Sequence, residues 1–173
     1  AVVHGPDNPT WAVSQRGPDA AAWIESDMIE YNNLVRNQTL GAPIPISAVP
    51  PGASILRINR VLKRKSDGRL KTRWVVDGSR QREGVDFDAH EKNSPVSRTE
   101  VQRIMLAISA SYKLSKFTID AVSAFNQSDL GRDNIFVTVP TQGTSSREGG
   151  TVRRLQKALY GLVQSGFLFY QML

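Results

Sequence analysis

Apolar side chains recur every three or four residues in the first long periodic segment, which follows a proline and an acidic residue at positions 18 and 19. This spacing predicts an amphipathic helix, because residues three and four apart lie on one helical face. A proline in the first turn with an acid close behind is typical of a helix start. The predicted apolar face consists of Trp23, Ile24, Met28, Tyr31, Leu34 and Val35.

A two-residue alternation follows, in the runs at residues 55–65 and 70–76. The intervening Ser66-Asp67-Gly68-Arg69 contains an Asp-Gly pair, which is a strong hairpin signal between two β-prone runs. Alternation along the second run places Lys71 and Arg73 on one face and Trp74 on the other. The sequence therefore predicts a β-hairpin with two cations projecting together and the indole packed behind them.

The flanking segments lack periodicity. Residues 1–17 are rich in Pro, Gly and Asn, which predicts a flexible lead-in before a domain at 18–173. Four prolines within 41–54 exclude a regular helix there and predict an extended connection.

The second half of the chain mixes helix and strand signals. A capping-box pattern at 99–102 opens a helical stripe made of Val101, Ile104, Met105, Ile108 and Tyr112. Short strands are predicted at 116–120, 135–139 and 152–155, and a last helix at 164–173. Because helices and strands mix without a regular βαβ alternation, the predicted fold class is α+β.

Composition narrows the chemistry. The chain has 173 residues, 40% of them apolar and 22% charged, which is typical of a globular domain. It has no cysteine and two isolated histidines, so a disulfide scaffold, a thiolate site and a histidine cage are excluded. The longest apolar stretch, 104–112, falls far short of the ~20 residues that a membrane span needs. No signal peptide is visible at the start of the sequence.

Positive charge is concentrated in one stripe. The formal net charge is +6, yet residues 57–82 alone hold ten basic and two acidic side chains. A concentrated basic stripe indicates a polyanionic partner, and a well-solvated hairpin is the alternative.

Three segments carry candidate chemistry. Asp120 ends a predicted apolar strand, where a carboxylate can hold a divalent cation or cap the following helix. Lys71 and Arg73 suit a triphosphate or a nucleic-acid backbone, with a solvated strand face as the alternative. Gln164 follows a glycine-containing turn at a predicted helix start, where free amides can meet a nucleotide. Core packing by Leu159, Tyr160 and Leu162 is the commoner explanation of the apolar residues of that turn, and it is compatible with a functional Gln164.

In this order the segments resemble the first half of the reverse transcriptase domain of copia-type LTR retrotransposon polyproteins. The resemblance covers residues 20–170, and its most specific match is Lys157-Ala158-Leu159-Tyr160-Gly161-Leu162 followed by Gln164. Further matching motifs include Lys71-Thr72-Arg73-Trp74-Val75-Val76, Gly84-Val85-Asp86-Phe87, Ser94-Pro95-Val96, Thr118-Ile119-Asp120-Ala121-Val122 with Ala124-Phe125, and Asp129-Leu130.

The resemblance implies a right-hand polymerase architecture of fingers and partial palm, and it implies roles for individual residues. Asp120 would ligate both Mg²⁺ ions of a two-metal site, with the Ala121 carbonyl nearby. Phe125 would be the steric gate that selects deoxynucleotides. Lys71 and Arg73 would clamp the incoming triphosphate, and Gln164 would position the nucleotide or template.

The resemblance also implies partners and a setting. These are an RNA template, a DNA primer, dNTPs, and the remaining polymerase and ribonuclease H domains, within an intracellular, cytoplasmic virus-like particle. The family's second aspartate motif, Tyr-x-Asp-Asp, does not occur in the sequence. We therefore expect a fragment of an RNA-directed DNA polymerase that is inactive by itself. The alternative is a non-catalytic nucleic-acid-binding remnant of a retroelement.

Overall fold

The structure is a computed structural model that describes residues 5–144 and 147–173. Its helices are α1 (Trp11–Ser14), α2 (Ala20–Arg36), α3 (Thr99–Ser111), α4 (Ala124–Gln127) and α5 (Ser165–Met172). Its strands are β1 (Leu40–Pro45), β2 (Ser54–Arg64), β3 (Leu70–Val76), β4 (Ile135–Thr138) and β5 (Thr151–Leu155). Short 3-10 turns lie at Ile46–Ala48, Gly78–Arg80 and Ala89–Lys92. Helices and strands are mixed along the chain, so the predicted α+β class is confirmed.

The strands form a mixed sheet with the order β1-β5-β4-β2-β3. β2 and β4 pair in parallel, whereas the other neighbouring strands of this sheet are antiparallel. A parallel pair needs a long crossover, and the chain between β2 and β4 includes β3, α3 and α4. This topology leaves β3 at one edge of the sheet, where other segments can reach it.

The predicted hairpin is confirmed. β2 and β3 pair from Ile58 opposite Val76 to Arg64 opposite Leu70, and the turn uses Gly68 at a φ of +81°. Only glycine adopts this left-handed conformation without a steric cost. Alternation on β3 also holds: Trp74 is buried, while Lys71 and Arg73 are partly exposed on the opposite face.

The hydrophobic core joins α2 to the sheet, with Tyr31 and Leu34 of the helix packing on sheet residues. The helix is confirmed, but its apolar face is displaced from the predicted one. Met28 and Val35 are 39% and 53% exposed, whereas Asp27 is 0% exposed. The displacement follows from what the carboxylate of Asp27 binds.

Asp27 is the centre of a buried hydrogen-bond network. Its oxygens accept from Arg60 Nε at 2.8 Å and Nη2 at 3.0 Å, from the Trp74 indole at 2.7 Å and from the Gly143 backbone N–H at 3.0 Å. Arg60 in turn donates to the Thr141 and Thr144 carbonyls and stacks on Trp11. This network ties α2 to both hairpin strands and to the loop before β5.

The predicted extended connection contains strand β1, which pairs with β5 at the other edge of the sheet. Two prolines, Pro43 and Pro45, lie in this strand. Proline has no N–H for a sheet ladder, and an edge strand tolerates it because one side needs no partner.

The predicted strand at 116–120 is wrong. Residues 114–121 have no regular secondary structure, and Phe117 and Ile119 are 87% and 82% exposed. A strand needs a neighbour to complete its hydrogen bonds, and none of the described strands lies beside this segment.

The capping box predicted at the start of α3 is also absent, because the helix begins after Arg98 with no side-chain cap. The predicted helix is present as α3, yet all the apolar residues of its predicted stripe are exposed.

The predicted lead-in contains α1, which Thr10 caps through its hydroxyl. Trp11 of this helix packs over the Arg60 guanidinium at 4.1 Å. Residues 1–4 of the lead-in lie outside the described residues, and the domain boundary at 18 stays a prediction. None of the described helices has the length and apolar character required to cross a bilayer.

Replacing Asp27 with asparagine should lower the free energy of unfolding by about 3–5 kcal/mol, because Arg60 would keep a buried charge without its counter-ion. Asp19→Asn is the matched control, since Asp19 pairs with Arg64 at a partly exposed site. Exposed pairs contribute about 0–1 kcal/mol. Urea unfolding followed by circular dichroism measures both, and equal losses would contradict the central role of Asp27.

Candidate functional site

A cleft of about 420 Å³ lies along the edge of β3. Its walls come from α2, the hairpin, residues 120–123 and Tyr160. Four residues singled out from the sequence line it together: Lys71, Arg73, Asp120 and Ala121. A more open depression of about 640 Å³, around Arg132 and Arg154, contains none of the predicted site residues.

Helix α2 covers the edge of β3 with two polar side chains. Ser26 Oγ accepts from the Thr72 N–H at 2.8 Å, and Glu30 Oε1 accepts from the Trp74 N–H at 3.2 Å. Four helical residues rise about 6 Å, close to the 6.6–6.8 Å spanned by two strand residues. This match lets one helical face satisfy alternate N–H groups of the strand, and it fixes α2 as a wall of the cleft.

The Tyr160-Gly161 turn continues this edge. The Val76 N–H donates to the Tyr160 carbonyl at 2.7 Å. Gly161 has a φ of +94°, and a Cβ added to it would overlap the Val76 carbonyl oxygen. A Cβ added to Gly78 would overlap the Gly161 carbonyl oxygen in the same way. The two glycines therefore let the turn approach the end of β3 and bring the Tyr160 side chain to the cleft.

The basic stripe divides into two groups. Arg60, Arg64, Arg69 and Arg82 form ion pairs with acidic side chains of the chain itself. The other six make no salt bridge to any residue that the structure describes; they are Arg57, Lys63, Lys65, Lys71, Arg73 and Arg80.

Lys63 lies directly opposite Lys71 across the hairpin. Like charges directly opposite each other on paired strands destabilise the fold. Their proximity also makes the electrostatic potential beside the cleft strongly positive. With Lys65 and Arg73 these lysines also line an adjoining hollow of about 290 Å³.

Glu30 places a carboxylate in the same cleft. Burial raises the pKa of Glu30, opposed by the Trp74 N–H and by the positive charges of Lys71 and Arg73. The nearby carboxylate of Asp27 raises it further. Ser26 and Glu30 are not among the residues predicted from the sequence. The signal that could have identified them is their spacing of four residues, which places two polar side chains on one face of α2.

Asp120 and Ala121 are exposed and precede α4. The helix begins after Ser123, so Asp120 is not its N-cap. The described residues contain no group of three acidic, histidine or cysteine side chains that could hold a metal ion. Asp120 and the Ala121 carbonyl supply oxygen ligands of the kind Mg²⁺ prefers, but they are too few for a two-metal site.

Phe125 and Gln164 do not line the cleft. Phe125 lies behind Tyr160, with ring centroids 4.8 Å apart. Gln164 is 0% exposed; its amide accepts from Gln81 at 2.9 Å and donates to the Asp86 carbonyl at 3.0 Å. In this structure Gln164 joins the loop after β3 to the start of α5, and its nucleotide contact stays a prediction.

The profile of the reverse transcriptase (RNA-dependent DNA polymerase) family matches residues 47–173. The chain therefore belongs to the reverse transcriptase family, the class that its ordered motifs predicted. No solved structure matches it.

Its relatives are polyproteins of plant transposons, which confirms the copia-type resemblance. The chain is 35% identical over 88% of its length to the retrovirus-related Pol polyprotein from transposon TNT 1-94 of Nicotiana tabacum. It is 30% and 33% identical, over 86% of its length, to those from transposons RE2 and RE1 of Arabidopsis thaliana. It spans only 11%, 10% and 10% of the three relatives.

Replacing Gly161 with alanine should destabilise the chain by more than the cost of its left-handed backbone. Gly52 is a matched control, since its φ is +84° and a Cβ there would meet nothing within 4 Å. Gly52→Ala should cost about 1–2 kcal/mol, and Gly161→Ala should add to this the overlap with Val76. Thermal unfolding compares the two, and equal losses would contradict the close approach of the turn.

Proposed function

We propose that the chain is the fingers and part of the palm of an RNA-directed DNA polymerase, acting within a longer retrotransposon Pol polyprotein. The observation that carries this proposal is the cleft that Lys71, Arg73, Asp120 and Ala121 share. Cations on one wall and a carboxylate on another are what nucleotidyl transfer requires, since phosphoryl transfer depends on positioning and charge neutralisation.

Each residue has a role in this proposal. Lys71 and Arg73 bind the triphosphate of the incoming dNTP, the arginine through its planar fork. Asp120 and the Ala121 carbonyl hold Mg²⁺, which when bound neutralises phosphate charge. Phe125 limits room for a ribose 2′-OH, and Gln164 supports the nucleotide or template side. The template is RNA, the primer is DNA, and the protein works in a cytoplasmic virus-like particle.

The metal site needs further carboxylates, because Asp120 alone cannot hold two Mg²⁺ ions. In this proposal they come from the Tyr-x-Asp-Asp motif of the longer polyprotein, and the chain by itself lacks polymerase activity. No catalytic step is therefore assigned to these residues alone.

The exposed apolar surface of α3 and residues 114–122 supports a larger parent domain. None of the 13 residues of α3 is buried. Phe117, Ile119 and Val122 are exposed beside the cleft segment. Apolar patches of this kind mark contact surfaces, and the occupant in this proposal is the remainder of the polymerase, which precedes a ribonuclease H domain.

A non-catalytic nucleic-acid-binding remnant is the second candidate. The Lys63–Lys71 pair is sufficient for this candidate, because a like-charged pair across a hairpin attracts a polyanion without requiring catalysis. Nucleic-acid binding is common to both candidates, and catalysis separates them.

Replacing Lys71 and Arg73 together with alanine should flatten the dependence of log affinity on log salt by roughly 1–2 units for a single-stranded oligonucleotide. The matched control removes the same charge from the other depression, by Arg154→Ala with Lys157→Ala. Fluorescence anisotropy across a salt series measures the slope. An unchanged slope in the first variant, or an equal change in the control, would reject the hairpin as the binding surface.

Asp120→Asn, in a longer chain that includes the Tyr-x-Asp-Asp region, should abolish templated dNTP incorporation while leaving the fold intact, because it removes a charged metal ligand. Phe125→Val should keep dNTP incorporation and admit rNTPs, because it removes bulk only. Asp129→Asn is the control, since Asp129 pairs with Lys157 away from the cleft. Primer extension with each nucleotide class measures these outcomes.

Near-normal incorporation by Asp120→Asn would contradict the palm assignment. An unchanged dNTP/rNTP ratio in Phe125→Val would contradict the gate. A longer chain with no incorporation at all, but with the predicted salt response, would favour the binding remnant.

A further inference from the structure

A row of aromatic rings connects the phosphate side of the cleft to α5. The Arg73 guanidinium lies over the Tyr160 ring, 5.6 Å from its centroid. The Tyr160 ring meets Phe125 at 4.8 Å with an interplanar angle of 66°, and Phe125 meets Phe169 at 6.1 Å and 81°. Edge-to-face rings at these separations attract each other beyond their buried area.

Tyr160 is the member of this row that lines the cleft together with Arg73, and Phe125 lies behind it. Its backbone cannot shift easily, because its carbonyl accepts the Val76 N–H and the following Gly161 is pressed against β3. The ring is therefore held from the backbone side by the sheet edge and from the far side by Phe125.

We propose that Tyr160 is a positioning residue that sets the separation between the phosphate-binding Arg73 and the sugar-side wall of the cleft. This inference rests on the proposed function and deepens it. A guanidinium over an aromatic face keeps its hydrogen-bond donors free along the ring plane. Tyr160 thus orients Arg73 and leaves its positive charge in place, whereas a carboxylate in the same position would neutralise that charge.

The same ring forms the aromatic surface next to the nucleotide. Phe125 acts through Tyr160, as the support that fixes its tilt, so the gate is a two-ring unit. The hydroxyl of Tyr160 has no part in this arrangement, and phenylalanine should replace tyrosine without loss.

Binding of inorganic tripolyphosphate to the 173-residue chain, by isothermal titration calorimetry, tests the coupling. Tyr160→Leu should weaken binding about three- to tenfold, the range expected when binding must also order an Arg73 side chain that is no longer held in place, and Tyr160→Phe should bind like the parent chain. Tyr170→Leu is the matched control, since Tyr170 is exposed on α5 and outside the cleft. The double variant with Arg73→Ala should bind no more weakly than Arg73→Ala alone.

A second measurement needs no ligand. Protons over a ring face are shielded, so the Arg73 Nε–H resonance should lie upfield in the parent and in Tyr160→Phe, and should move downfield in Tyr160→Leu. Circular dichroism of Tyr160→Leu checks that the fold is kept.

The outcomes separate this inference from the proposed function. If Arg73→Ala weakens binding but Tyr160→Leu does not, or if the two losses add fully, the positioning role is overturned and the function stands. If Arg73→Ala with Lys71→Ala leaves tripolyphosphate binding unchanged, or if the parent chain binds none, both are overturned.

Discussion

The buried carboxylate of Asp27 is the constraint on which the rest of the structure depends. It accepts hydrogen bonds from β2, from β3 and from the loop before β5, and it is the counter-ion of the buried Arg60. Leaving either charge unpaired in the interior costs several kcal/mol, so α2 and the hairpin are stable together only in the orientation that closes this network. That orientation also turns Ser26 and Glu30 towards the open edge of β3.

The cleft follows from that edge. A sheet edge carries unpaired N–H groups, and here α2 satisfies two of them while the Tyr160 carbonyl satisfies a third. The segments that complete the hydrogen bonds of the strand are also the walls of the site. Lys71 and Arg73 lie at the same edge and form no ion pair with a described residue, whereas Arg60, Arg64 and Arg69 of the hairpin do. The same segments therefore stabilise the sheet edge and form the candidate site.

Local patterns predicted the elements whose stability is local. The Asp-Gly turn and alternating runs were sufficient for β2 and β3, and helical spacing was sufficient for α2. The strand predicted at 116–120 is wrong because a strand is stable only with a neighbour that completes its hydrogen bonds. None of the described strands pairs with this segment. The capping box at α3 failed for another reason: the N-cap is Arg98, so Thr99 is already the first helical residue and is not in the position that a capping box requires.

By itself the sequence determined the family, the α+β class, the hairpin and the identity of Lys71, Arg73 and Asp120 as candidates, because motif order and short-range periodicity are written in neighbouring residues. Tertiary structure alone decided that Asp27 is a buried counter-ion, that Gln164 is enclosed and that Tyr160, with Phe125 behind it, faces the cleft. Those outcomes depend on which distant segments meet at the edge of β3. Core packing and the burial of the Asp27–Arg60 ion pair determine which segments come together there. Neither can be predicted from the residues adjacent in sequence.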